Sequence, residues 1–106
     1  MAKEVLVVLA MWPNADQARA AARQLIEEKL AACANLVPAI ESIYRWEGKV
    51  ETAAEVLMIL KTTLGRYPLL ETRIKSLHSY AVPEIVSLRV TDGLPAYLRW
   101  VEDSCA

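Results

Sequence analysis

The sequence predicts an α+β fold in which four strands form one antiparallel sheet and two helices cover one of its faces. Three observations predict it. Residues 5–11 and 56–60 are continuous aliphatic runs, as expected of buried strands. Two segments carry apolar side chains at helical spacing, and further strand-forming segments lie between and after them. The resulting order is β-α-β-β-α-β with one more helix at the end, the split βαβ or ferredoxin-like arrangement.

Each element has its own signals. The first strand covers residues 5–11 and stops at Pro13. Asn14 followed by Gln17 opens a helix as a capping box, with Ala18, Ala21, Ala22, Leu25 and Ile26 on one stripe. That helix is expected to end near Lys29 or Leu30. Leu36-Val37-Pro38 fits a strand only at an edge or a bulge, because Pro38 has no amide to donate. Residues 40–46 are rich in strand formers, and Glu47-Gly48-Lys49 is a hairpin turn in which Gly48 supplies a positive φ. The return strand is 56–60. A second helix, 66–77, presents Tyr67, Leu70, Ile74 and Leu77 on one side. Pro83 precedes a last strand at 84–90, and Pro95 sits in the first turn of a short final helix.

A chain of 106 residues is the size of one domain, 1–106, and the hydrophobic fraction of 55% excludes a disordered chain. Net charge is −1 with no basic run, which argues against nucleic acid. No apolar stretch reaches the roughly 20 residues that span a bilayer. The first residues carry no cleavage-site pattern and are read as no leader. Cys33 and Cys105 are too few for a disulfide framework and suit a reducing cytoplasm. Phosphate-loop, dinucleotide and nucleophile-elbow motifs do not occur, and the strand 56–60 lacks the aromatic residues of an RNA-reading sheet. No self-contained catalytic site is legible.

The two aliphatic runs also predict self-association. Helices on one face leave the other bare, and a monomer should then alternate apolar and polar residues. Residues 5–11 and 56–60 are apolar at odd and even positions alike. Exposing such side chains forfeits about 1.5–3 kcal/mol each. Either a second copy covers them or the C-terminal helix folds back over them; the stripe of that helix is short, which favours the second copy.

Blocks along most of the chain resemble the CutA family of divalent-cation tolerance proteins. They are Glu28-Lys29-Leu30-Ala31-Ala32-Cys33-Ala34-Asn35, Ser42-Ile43-Tyr44-Arg45-Trp46-Glu47-Gly48-Lys49, and Glu55-Val56-Leu57-Met58-Ile59-Leu60-Lys61-Thr62. His78-Ser79-Tyr80-Ala81-Val82-Pro83-Glu84 and Tyr97-Leu98-Arg99-Trp100 complete the set. The resemblance implies a homotrimer whose sheets face inward and whose long hairpins reach toward neighbours. It implies a response to divalent ions, copper among them, with no metal needed for folding. A fold-level likeness to PII signalling trimers implies an alternative: a small effector or a protein partner bound in clefts between subunits.

The resemblance points to His78, the only histidine, as a metal ligand. The chain departs from the family pattern at Leu77, where some members have a further histidine, and at Ser79, where proline is frequent. Ala10 and Met11 stand where some members carry a cysteine. The competing reading is a histidine beside the last carbonyls of the second helix. Cys33 reads as a small buried hydrophobe and Cys105 as part of a mobile tail. In a trimer, Trp46, Lys61, Tyr80 and Glu84 could converge on an inter-subunit cleft suited to a small polar or anionic ligand. Against that stands a Lys61–Glu84 ion pair, with Tyr44 and Trp46 as interface anchors.

Overall fold

The computed structural model of the protein describes residues 4–106; Met1, Ala2 and Lys3, part of the segment read as carrying no leader, lie outside them. Its elements are β1 (Val5–Trp12), α1 (Ala15–Glu27), β2 (Cys33–Trp46), β3 (Lys49–Thr63), α2 (Tyr67–Leu77), β4 (Ile85–Arg89) and α3 (Pro95–Ser104). The strands form one sheet in the order β2-β3-β1-β4, and every neighbouring pair is antiparallel.

The α1 start is the predicted one: Asn14 Oδ1 accepts the Gln17 N–H at 2.8 Å. Its end comes sooner than expected, because Lys29 turns left-handed at φ 59. The Lys29 N–H then donates to the Ile26 carbonyl and the Leu30 N–H to the Leu25 carbonyl, both at 3.0 Å. This pair of bonds is a Schellman closure, with lysine where glycine is usual. It returns the chain directly into β2.

Even-numbered residues of β1 and β3 point toward the helices. Val8, Ala10, Trp12, Val56, Met58 and Leu60 form one core with Ala18, Ala21, Ala22, Leu25, Leu70 and Ile74. Thr62 belongs to the same face and buries its hydroxyl by donating to the Leu30 carbonyl at 2.7 Å. A smaller cluster joins Val101 and Cys105 to Val5 and Ala32. Through it α3 seals the end where β1 begins. Packed in this cluster, Cys105 is 3% exposed, and the Arg66 Nε–H donates to its carbonyl at 2.7 Å, so the tail expected from sequence to be mobile is instead fastened down.

β2 and β3 run on well past the rest of the sheet. β1 pairs with β3 only over Val56 to Thr63, whereas β2 and β3 stay paired out to Trp46 opposite Lys49. The result is a two-stranded arm that gives the molecule a long dimension of 47 Å. A bulge sets its base: Val37 faces Leu57 and Ile40 faces Glu55, leaving Pro38 and Ala39 opposite Val56 alone. Ala39 takes a φ of 62, and Pro38 lies on an edge strand where its missing amide costs no ladder bond. At the tip Glu47 and Gly48 both have positive φ, 50 and 79, as a two-residue type I′ turn requires.

Candidate functional site

The face of the sheet away from the helices is a broad apolar surface bounded by two polar clusters. Val7, Leu9, Met11, Leu57 and Ile59 lie on it, each half-buried. Register places Val86 beside Leu9 and Leu88 beside Val7, and these are 46% and 55% exposed. Val37, opposite Leu57, extends the surface onto β2. α3 covers only one end of it, so the C-terminal helix does not close the sheet. The accessible surface of 6698 Å² exceeds the roughly 5900 Å² expected for a monomer of this mass. The radius of gyration, 14.4 Å, likewise exceeds the value of about 13 Å for a compact chain of this length.

The first polar cluster lies at the end of β1. His78, the C-cap of α2, turns away from that helix: its Nε2 lies 2.6 Å from the Met11 carbonyl of β1. The Tyr80 N–H donates to His78 Nδ1 at 3.1 Å. The ring stacks on Trp12, with centroids 4.3 Å apart, and tilts against Tyr80 at 4.7 Å. Tyr80 in turn donates its phenol to Glu55 Oε2 at 2.9 Å, joining the 78–84 connection to the base of the arm. Burial first, then the bond to Glu55 and its charge, push the Tyr80 phenol up to about 12. It is therefore a neutral donor at any physiological pH. Glu84, exposed, directly precedes β4.

The second cluster lies at the opposite end. Lys61 extends from β3 across the sheet and donates its ammonium to Asn35 Oδ1 on β2. The ion pair with Glu84 weighed from sequence is thus replaced by a bond to a neighbouring strand. Cys33, the register partner of Lys61, is half-buried rather than enclosed, with its Sγ 3.6 Å from the Tyr97 hydroxyl of α3. The bond to Cys33, then burial, raises the Tyr97 phenol above its ordinary value.

Within one chain the candidate residues stand apart. Lys61 and Glu55, the partner of Tyr80, are six residues apart on one strand, about 20 Å. Trp46 is a comparable distance beyond Glu55 in the other direction, at the arm tip. Tyr44 and Trp46 are 44% and 50% exposed there, on a ribbon with no core of its own. Among the described residues, no three His, Cys, Asp or Glu side chains are grouped to hold a metal ion. Trp12, Asn35, Glu55 and Tyr97 were not legible as site residues.

The family model for the CutA1 divalent ion tolerance protein matches residues 6–104. The chain belongs to the CutA1 family. Among CutA1 relatives, the divalent-cation tolerance protein CutA of Thermus thermophilus is 47% identical over 98 residues, 92% of this chain and 95% of that protein. The chloroplastic CutA of Arabidopsis thaliana is 41% identical over 99 residues, and this chain spans 54% of its length. A crystal structure of CutA1 from Oryza sativa superposes with a TM-score of 0.96 at 42% identity, covering 99% of this chain and 96% of that one. The periplasmic divalent cation tolerance protein CutA of Archaeoglobus fulgidus gives 0.93 at 34% identity, covering 96% and 99%. The α+β fold is thus the CutA1 fold over nearly the whole chain. No helix among the described residues is long and apolar enough to cross a membrane.

Proposed function

We propose that this CutA1 chain acts as a cytoplasmic homotrimer in the response to divalent cations. The observation that carries the assembly is the apolar face left open on β1, β3, β4 and β2, continuous with an arm that bears Tyr44 and Trp46. Patches of this kind mark interfaces. Three copies rather than two is the number the family resemblance implies. Free thiols at Cys33 and Cys105 suit a reducing compartment, while relatives named chloroplastic or periplasmic show that the fold also serves elsewhere.

Copper is the cation against which the reading is tested. Cu(II) titrated calorimetrically into the assembled protein gives a saturable isotherm whose stoichiometry counts sites per trimer. Absence of saturation with both Cu(II) and Zn(II) would remove cation binding and leave an assembly without it. The effector alternative has no observation in its favour: within one chain Lys61 is engaged by Asn35, and its cleft would have to be formed by neighbouring copies.

A further inference from the structure

The single histidine, which the family resemblance marks as a metal ligand, does not fit that role in this chain. A metal ion approaches an imidazole in the ring plane, along a nitrogen lone pair. Both in-plane positions are taken. Nδ1 receives the Tyr80 N–H at 3.1 Å, so it must carry the lone pair and cannot carry the proton. Nε2 is therefore the protonated nitrogen, and it donates to the Met11 carbonyl at 2.6 Å. The ring is further confined by Trp12, stacked on it at 4.3 Å, and by Tyr80, tilted against it at 4.7 Å. A soft or borderline ion would also want further N or S ligands. Cys105 is enclosed at the other end of β1, and Cys33 lies beside Lys61 at that same far end.

We infer that His78 is a positioning residue, fixed as the neutral Nε2–H tautomer, that ties the 78–84 connection to the end of β1, and that any divalent cation this protein binds is held elsewhere. The tie continues beyond the ring. Tyr80, held at its amide by His78, is held at its hydroxyl by Glu55. One imidazole thus sets where the connection before β4 meets the base of the arm. Ligation at Nδ1 would break the Tyr80 amide bond, and ligation at Nε2 would need the proton removed and the Met11 bond lost. The ring serves the fold or a metal, and the geometry assigns it to the fold.

Because the chain has one histidine, ¹⁵N-histidine labelling gives one pair of ring resonances without assignment. In metal-free protein the expected result is one pyrrole-like nitrogen, Nε2, and one pyridine-like nitrogen, Nδ1. Stoichiometric Zn(II), used as a diamagnetic probe, should leave both unmoved. A protonated Nδ1, two averaged nitrogens, or a Zn(II)-induced shift of either nitrogen toward a ligated position overturns the inference. His78→Ala should speed exchange of the Tyr80 amide by about tenfold, the effect of one lost hydrogen bond. It should also leave the Cu(II) isotherm of the assembled protein unchanged, and a lost isotherm in a folded variant overturns the inference too. Should that variant fail to fold, the wild-type resonances decide alone. A protein that binds no cation at all would fail the functional reading while leaving the tautomer to be measured.

Discussion

Lys29 and Glu28 show how single residues at the end of α1 tune the fold. Lys29 holds a left-handed backbone at φ 59, which costs a side-chain-bearing residue about 1 kcal/mol. Lys29→Gly relieves that cost but adds freedom to the unfolded chain. A net gain of about 0.5 kcal/mol is expected in urea midpoints; a loss would contradict the closure described. Its neighbour Glu28 meets Arg73 of α2 at 3.0 Å, and that guanidinium holds the carboxyl below the usual 4.5. A carboxyl whose pKa falls on folding contributes above its unfolded value, and the contribution vanishes as pH falls through the folded one. The thermal midpoints of wild type and Glu28→Gln should therefore differ at pH 7 and converge below pH 4.5. A gap independent of pH would show that the pair does not act through charge. His78 belongs to this scale too. Its place at the end of a helix was legible, but its partner is a carbonyl 67 residues away, which spacing cannot reveal.

Elements were legible where local chemistry decides them. The Asn14 cap, the turn at Gly48 and Pro95 at the first turn of α3 each act within four residues, and each stands where its sequence signal put it. Lengths were less legible. β3 begins at Lys49, well before the aliphatic run at 56–60, because its polar half is held by β2 in the arm rather than by a core. Cross-strand pairing of that kind leaves no periodic trace in one strand alone. The arm also depends on its tip. A Cβ at Gly48 would meet nothing within 4 Å, so Gly48→Ala costs only backbone strain at φ 79, about 1 kcal/mol. Because the arm runs on past the end of β1 and is paired only within itself, the expected effect is local. Amides of residues 44–51 should exchange several-fold faster while those of β1 keep their protection. Uniform loosening would instead mean that the arm and the sheet unfold as one unit.

At the scale of the molecule, surface and shape agree with the pattern of the strands. A sheet with helices on one side and aliphatic residues on both leaves an apolar face open, as the aliphatic runs predict. What the sequence withheld is where α3 goes. Its stripe could have covered the open face, but Val101 and Cys105 commit it to the small cluster at Val5 and Ala32. How the candidate cleft residues would meet was withheld for a related reason: Lys61 and Trp46 lie far apart on the β2–β3 hairpin, Tyr80 is bonded to Glu55 between them, and only neighbouring copies could bring them together.

The direct measurement is sedimentation equilibrium at micromolar concentration, on wild type and on Ile59→Asp. Ile59 sits half-buried in the middle of the open face, so a charge there should spare the helix-side core while spoiling any contact with another copy. The proposed homotrimer, joined through this face, predicts about 35 kDa for wild type, three times the 11.8 kDa chain, and a smaller species with retained far-ultraviolet dichroism for the variant. A wild-type mass of 11.8 kDa, or a folded variant of unchanged assembly, would contradict it.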